Sequence, residues 1–183
     1  EEYEVIAECC KDMPVITQIN YYFDTEDLSM NKRGITCRIR AKNGKYRTTI
    51  KNHNTDNPSC SIEEHLCEGS KYDSRVFEAL GLYFQGELVT SRIVMYKDDI
   101  CEVVLDMNFY LGHTDFEIEV EYSNGNEDKA IKFLKNVAKH LVKAKLLTST
   151  EDFISRIGNS KNKSERFFEK KELISKNWQV LSV

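Results

Sequence analysis

Polar and apolar residues alternate strictly along several short stretches of this chain, the period of a β-strand rather than a helix. In Gly34–Lys42, Thr36, Arg38 and Arg40 fall on one side, and Ile35, Cys37, Ile39 and Ala41 on the other. Lys45–Lys51 sets Arg47, Thr49 and Lys51 against Tyr46, Thr48 and Ile50. Gln18, Asn20, Tyr22 and Asp24 oppose Ile19, Tyr21 and Phe23, and Thr90 with Arg92 extends the pattern mid-chain. Near residue 115 the sign of charge changes: Asp115, Glu117, Glu119 and Glu121 oppose Phe116, Ile118, Val120 and Tyr122. The pattern predicts strands over 16–24, 34–42, 45–53, 59–66, 87–96, 100–107 and 115–122. Asn43-Gly44 is the favoured pair of a type I′ hairpin turn, Lys97-Asp98-Asp99 is a second turn, and Gly112 precedes the acidic strand.

Helical spacing governs the rest. Val5, Ile6, Cys9, Cys10 and Met13 predict a helix over 1–13, ended by Pro14. A short helix over 71–80 would turn Val76, Phe77 and Leu80 to the core and stop at Gly81. The clearest helix runs from 126 to 147, with an apolar stripe of Ile131, Leu134, Val137, Ala138, Leu141 and Val142. Glu127 and Asp128 in its first turn and Lys139, Lys143 and Lys145 towards its end suit the helix dipole. Another helix is expected over 150–157, followed by a basic, aromatic tail containing Lys161, Lys163, Arg166, Phe167 and Phe168. With no repeat, low-complexity linker or composition break, the chain reads as one domain over 1–183, antiparallel, in the order α–ββββ–α–βββ–αα.

Composition narrows the function classes. At 183 residues, 40% hydrophobic and 31% charged, the chain resembles an ordinary globular protein. Apolar runs such as Val103-Val104-Leu105 are far too short to span a bilayer, and no signal segment opens the chain, so a cytoplasmic protein with no membrane partner is expected. A net charge of −4 argues against a nonspecific nucleic-acid binder. The six cysteines show neither a CxxC pair nor a zinc-type spacing with histidine, and they read as reduced, structural thiols.

The charged strand faces carry the chemistry. If the apolar faces meet helices, the charged faces look either at water or at a ligand. A row of Asp115, Glu117, Glu119 and Glu121 repels itself unless cations sit nearby. A triphosphate is well held by guanidinium and ammonium groups, with a divalent cation bridging its oxygens to carboxylates. Arg38, Arg40, Lys51 and Arg92 supply the first kind of group, and Glu63, Glu117 and Glu119 the second. An eight-stranded closed sheet is about wide enough for one such ligand.

The ordered series Gln18-Ile-Asn-Tyr-Tyr-Phe-Asp-Thr25, Leu28, Gly34, Arg38-Ile-Arg40, Thr49-Ile-Lys51, Thr90-Ser-Arg92, Leu105-Asp106, Tyr110-Leu-Gly112 and Asp115-Phe-Glu-Ile-Glu119 resembles the CYTH superfamily. These are the triphosphate tunnel metalloenzymes: thiamine triphosphatase, class IV adenylyl cyclases, tripolyphosphatases and fungal RNA triphosphatases. The likeness covers nearly the whole chain and is strongest to small CYTH proteins of Gram-positive bacteria, whose ending Asn162-Lys-Ser-Glu-Arg-Phe-Phe168 also resembles. The resemblance implies an α+β fold: an antiparallel eight-stranded closed β-barrel with helices packed outside. It implies triphosphate binding by Arg38, Arg40, Lys51 and Arg92, and Mg²⁺ or Mn²⁺ held by Glu117 and Glu119, with Glu63 a less close match. Lys163 and Arg166 match a C-terminal basic position, and Glu117, Glu119 and Lys51 are the catalytic candidates. The family's Glu-x-Glu-x-Lys strand has no match here. Glu2-Tyr-Glu4-Val-Ile6 has its spacing but Ile for Lys, so the first strand is expected upstream of Glu1.

The expected function is metal-dependent hydrolysis of a triphosphate, either inorganic tripolyphosphate or a nucleoside or thiamine triphosphate. An adenylyl cyclase of the same type, and a noncatalytic polyphosphate or nucleotide binder, are the alternatives. The expected partner is a triphosphate-containing small molecule, and a homodimer is compatible with the sequence. With few apolar groups other than Tyr22 assigned to the lumen, the organic part of the ligand is expected to matter less than its phosphates.

Overall fold

The computed structural model describes residues 1–53, 61–123, 125–158 and 161–180. The elements are α1 (Glu2–Cys9), β1 (Val15–Asp24), α2 (Ser29–Lys32), β2 (Ile35–Lys42), β3 (Lys45–Asn52), β4 (Ile62–Gly69), α3 (Arg75–Ala79), β5 (Tyr83–Lys97), β6 (Cys101–Tyr110), β7 (His113–Tyr122), α4 (Glu127–Lys143), α5 (Thr150–Ile154) and α6 (Lys163–Val180). The strands form a seven-stranded sheet in the order β4-β3-β2-β1-β5-β6-β7. β1–β2, β2–β3 and β3–β4 are antiparallel. Asn43 and Gly44 both take positive φ, 51° and 73°, as the predicted type I′ turn between β2 and β3 requires.

The chain forms two compact units: Glu1–Ile16, Ser91–Asn108 and Asp115–Ser160 make the first, and Thr17–Thr90, Phe109–Thr114 and Lys161–Val183 the second. In the first, the apolar sides of β5, β6 and β7 pack against α1 and α4. Ile93, Met95, Val103, Leu105 and Leu141 are buried there, and Ile118 and Val120 lie against them. The buried stripe of α4 is Ala130, Leu134, Val137, Ala138 and Leu141. Ile131, expected in that stripe, is 38% exposed: Ala130 takes the inward position of that turn.

In the second unit, the two faces of β1 have different cores. Phe23, with Cys37 and Ile39 of β2, packs on Phe77 and Leu82. Tyr22, on the other face, packs with Leu88, Tyr110, Phe167 and Phe168. The turn after β1 is fixed by the buried carboxylate of Asp24, which accepts from the backbone N–H of Thr25 at 2.7 Å and of Met30 and Asn31 at 2.9 Å. Three cysteines, Cys10, Cys37 and Cys101, are buried, while Cys9 and Cys67 are exposed; all five are free thiols. Burial, with the Asp24 charge adding to it, pushes the Cys37 thiol up to about 12, so it stays protonated. Cys60 and the start of the strand expected over 59–66 lie outside the described residues.

Several sequence expectations need correction. α1 ends at Cys9, not at residue 13, and leaves Met13 44% exposed. The helix expected over 71–80 shrinks to α3, where only Phe77 is buried and Val76 and Leu80 are 37% and 59% exposed. α2 was not expected, and the basic tail is a helix, α6, of 18 residues. Among the described residues the sheet has seven strands, the number expected within this chain.

Candidate functional site

Cross-strand register builds the basic face of the second unit. Asn20 lies opposite Arg40, and Tyr22 opposite Arg38. Arg38 pairs with Thr49, Arg40 with Arg47, and Thr36 with Lys51. Directly opposed residues share a side of the sheet, so Arg38, Arg40 and Lys51 lie on one face. That face is not solvated at β1: Gln18, Asn20, Tyr22 and Asp24 are all at most 1% exposed, and Arg38 only 8%. The row does reach solvent at Arg47, which pairs with Glu68 at 2.7 Å.

Glu63 stands opposite Lys51 and accepts from Arg38 Nη2 at 2.8 Å. Burial works against its charge, yet Arg38 beside it, the bonds from Arg38 and Thr49, and Arg40 hold its carboxyl down at about 2. Arg38 also donates from Nε to Thr49 Oγ1 at 3.3 Å. α6 brings two more cations. The Tyr22 phenol is pushed up by burial, while the charges of Arg38, Arg40, Lys163 and Arg166 all pull it down. The start of α6 is tied to β2 by Thr36 Oγ1 and Ser164 Oγ, 2.7 Å apart. Further along, Phe167 stacks at 4.8 Å on Tyr22.

Two amides on this face lack partners. Asn20 Oδ1 accepts from Arg40 Nε at 2.9 Å, which leaves its Nδ2 facing away from Arg40. That Nδ2, and both Nε2 and Oε1 of Gln18, are buried with no hydrogen-bond partner among the described residues. A buried polar group left unpaired costs about 1–3 kcal/mol, so retaining three such atoms on one face is unusual.

The first unit carries the acidic face. Carboxylate oxygens of Asp106, Glu117 and Glu119 lie within 4.8 Å of one another, a grouping able to hold a metal ion. All are hard oxygen ligands of the kind Mg²⁺ and Mn²⁺ prefer, so the donor set fits the implied metals. Arg92 binds this group from β5: Nε to Asp106 Oδ1 at 2.8 Å, Nη2 to Asp106 Oδ2 at 2.7 Å and to Glu119 Oε2 at 2.6 Å. Burial opposes the guanidinium charge, but the bonds and charges of Asp106 and Glu119 raise its pKa further. Asn108, fully buried, donates to Asp115 at 2.9 Å and Glu117 at 3.4 Å and so orients the outer carboxylates.

The structure therefore gathers Arg38, Arg40, Lys51, Glu63, Lys163 and Arg166 in one unit and Arg92, Glu117 and Glu119 in the other. Asp106 was signalled in the sequence only as part of a motif, yet it is the most buried member of the acidic group, with no exposed side-chain surface. Gln18 and Asn20 were read as a polar face but not as site residues.

Comparison with known proteins identifies the family and the fold. The family model described as the CYTH domain matches residues 11–156. Bacillus subtilis (strain 168) YjbK, named "putative triphosphatase", is 28% identical over 145 residues, covering 70% of this chain and 75% of that protein. A Bacillus halodurans crystal structure called a "putative adenylate cyclase" superposes with a TM-score of 0.64 at 24% identity, over 91% of each chain. A Hippeastrum protein called a "putative adenylyl cyclase", with a dominant triphosphatase activity, gives a TM-score of 0.51 at 16% identity, over 75% of this chain and 82% of that one.

Proposed function

From the premise that the chain belongs to the CYTH domain family, we propose that it hydrolyses a terminal phosphoanhydride of a triphosphate, inorganic or carried by a nucleoside or thiamine, with Mg²⁺ or Mn²⁺ as cofactor. The observation that carries the reading is the basic face beside Tyr22, where Arg38 is buried opposite the ring, Arg40 is half-buried on the same strand, and half-buried Lys163 and Arg166 of α6 act on the same phenol. Partly desolvated cations held on ordered elements are good ligands for a polyanion. The Bacillus subtilis relative's name and the activity of the Hippeastrum protein point the same way.

In this reading, Arg38, Arg40 and Lys51 bind and orient the phosphates, and Lys163 and Arg166 add charge from α6. Arg92 contributes one further phosphate contact once Glu119 is engaged elsewhere. Glu117 and Glu119, with Asp106 behind them, would hold the cation, which supplies charge neutralisation at the phosphate oxygens. Glu63 restrains Arg38 through its 2.8 Å bond, keeping the guanidinium fork in place for the phosphate. The proposal includes the closed eight-stranded tunnel of the family, its remaining strand bearing Glu-x-Glu-x-Lys. Phosphate release from tripolyphosphate, ATP and thiamine triphosphate, each with Mg²⁺, with Mn²⁺ and with chelator, tests it in the complete reading frame. Metal-dependent release is expected from at least one, and none from any of the three overturns the proposal.

A further inference from the structure

A histidine with no part in the scheme above stands on the basic face. The alternation of β3 continues past its last residue, so His53 falls on the side that carries Thr49 and Lys51. Its backbone N–H donates to Gly34 O at 2.9 Å, which extends the β2–β3 ladder to this position. Its ring Nε2 lies 3.2 Å from Thr36 Oγ1, and Thr36 pairs with Lys51 across the strands. Both observations put the imidazole on the Lys51 side of a strand held between β2 and β4.

The hydrogen bonds fix which ring nitrogen can titrate. Asn162 Oδ1 accepts from the Glu165 backbone N–H at 3.0 Å and from Ser164 Oγ at 2.6 Å. A hydroxyl has one hydrogen to give, so Ser164 must accept in its 2.7 Å contact with Thr36 Oγ1. Thr36 therefore gives its hydrogen to Ser164 and accepts from His53 Nε2. The Nε2 proton is committed in both charge states of the ring, and Nδ1 is the nitrogen that gains or loses a proton. The same bonds tie the ring to the start of α6, next to Lys163.

The charges round the ring decide when that happens. Burial disfavours the imidazolium most, and Lys51 of β3 and Arg38 of β2 add to it. Glu165 of α6 and Glu63 of β4 act the other way, and the balance holds His53 below the usual histidine range. The ring is thus neutral at pH 7. A polyphosphate on Lys51 and Arg38 reverses the balance, because it neutralises the opposing cations and adds anionic oxygens beside the ring.

We propose that His53 is a further phosphate-binding residue: it takes a proton from solvent onto Nδ1 as a triphosphate binds, and donates it in a charge-assisted hydrogen bond to a phosphate oxygen. The inference rests on the triphosphate reading and deepens it by making binding proton-linked. The contribution of His53 to affinity is full below its pKa in the free protein and is lost as pH rises through its pKa in the complex.

The test is titration calorimetry of the full-length protein with inorganic tripolyphosphate between about pH 6 and about pH 8, in buffers of different ionisation enthalpy, for the wild type and His53→Gln. The Gln NH₂ can keep the donation to Thr36, so the melting temperature should hold. Protonation of tripolyphosphate itself is common to both proteins, and the difference between them belongs to His53. The wild type is expected to take up more protons on binding, by up to about one, and to bind roughly tenfold tighter at the acid end, with the gap closing as pH rises. Nitrogen NMR of the wild-type histidines reads the same event without a variant: one ring should stay protonated on Nε2 and gain a proton on Nδ1 when tripolyphosphate is added. Equal proton uptake in the two proteins, a parallel loss of affinity at every pH, or no histidine gaining a proton overturns the role of His53 and leaves the triphosphate reading intact. A wild type that binds no tripolyphosphate, with or without Mg²⁺, overturns that reading and the role of His53 with it.

Discussion

Asp106 and Glu119 divide one guanidinium between them, and the division sets different consequences for losing each. Asp106 is fully buried and takes two bonds from Arg92, whereas the Glu119 side chain is 39% exposed and takes one. Asp106→Ala strands a buried charge and should cost about 3 kcal/mol or more of stability. Glu119→Gln and Glu117→Gln leave the Arg92–Asp106 fork intact, so urea denaturation should be nearly unchanged while metal-dependent phosphate release falls away. Full activity in both glutamine variants would refute their role. Acid should expose Glu63 in the same manner. Its carboxyl, at about 2 in the folded protein against an ordinary 4.5, contributes stability that is present above pH 4.5 and lost as pH falls towards 2. Thermal melts across that range should flatten in Glu63→Gln; an unchanged acid slope would show that the Arg38 pairing is not felt. Sequence marked Glu117 and Glu119 because β7 alternates without interruption. It passed over Asp106 because Val104, buried at 2% exposure, sits on the same side of β6 and breaks the polar row that Asp106 and Asn108 otherwise form.

At the scale of elements, α6 is where the sequence was hardest to read. Its charges are spread round the helix and Phe167 is adjacent to Phe168, so no apolar stripe announces it. The signal that could have found it is a reciprocal cap: Glu165 N–H donates to Asn162 Oδ1 at 3.0 Å, and Asn162 N–H donates to Glu165 Oε2 at 2.9 Å. β2 and β3 were legible almost to the residue, because their alternation is unbroken and an Asn-Gly turn fixes the register. β4 was not, since its eight residues are all exposed and no buried face constrains its ends. Docking of α6 rests on close contact: Phe167 has no exposed surface, and a Cβ built on Gly86 would lie 2.8 Å from Phe167 Cζ, at a φ of +139°. Gly86→Ala should therefore cost about 1–3 kcal/mol through crowding, in addition to backbone strain. Phe167→Ala should cost about 3–5 kcal/mol through the cavity it leaves. Hydrogen exchange should show faster exchange over Lys163–Phe168 in both, and unaltered protection there would mean that α6 is held by other contacts.

For the whole molecule, a net charge of −4 coexists with a partly buried group of cations on one face, and the balance decides what class of anion binds. The excess negative charge weakens attraction of extended polyanions from a distance, while the buried face rewards a short ligand that can fill it. The sequence conveyed this sorting of charge but gave no sign of two compact units. β5 and β6 continue from one unit into the other with no break in composition, so the chain reads as a single run. Phosphate number is the variable that tests the sorting. A charge-assisted hydrogen bond contributes about 1.5–3 kcal/mol, roughly ten- to a hundredfold in affinity, and only a chain of phosphates can engage several such groups together. Calorimetry on the full-length protein should rank tripolyphosphate above diphosphate and diphosphate above monophosphate. Arg40→Ala and Lys51→Ala should each cut tripolyphosphate binding ten- to a hundredfold and monophosphate binding far less, because a single phosphate can settle on the cations that remain. Arg40→Ala also strips the buried Asn20 Oδ1 of the 2.9 Å bond it accepts from Arg40, so it should cost more stability than Lys51→Ala. Equal losses for one and three phosphates would mean that each cation acts alone, and the buried face would then be a structural charge network with no part in binding a polyphosphate.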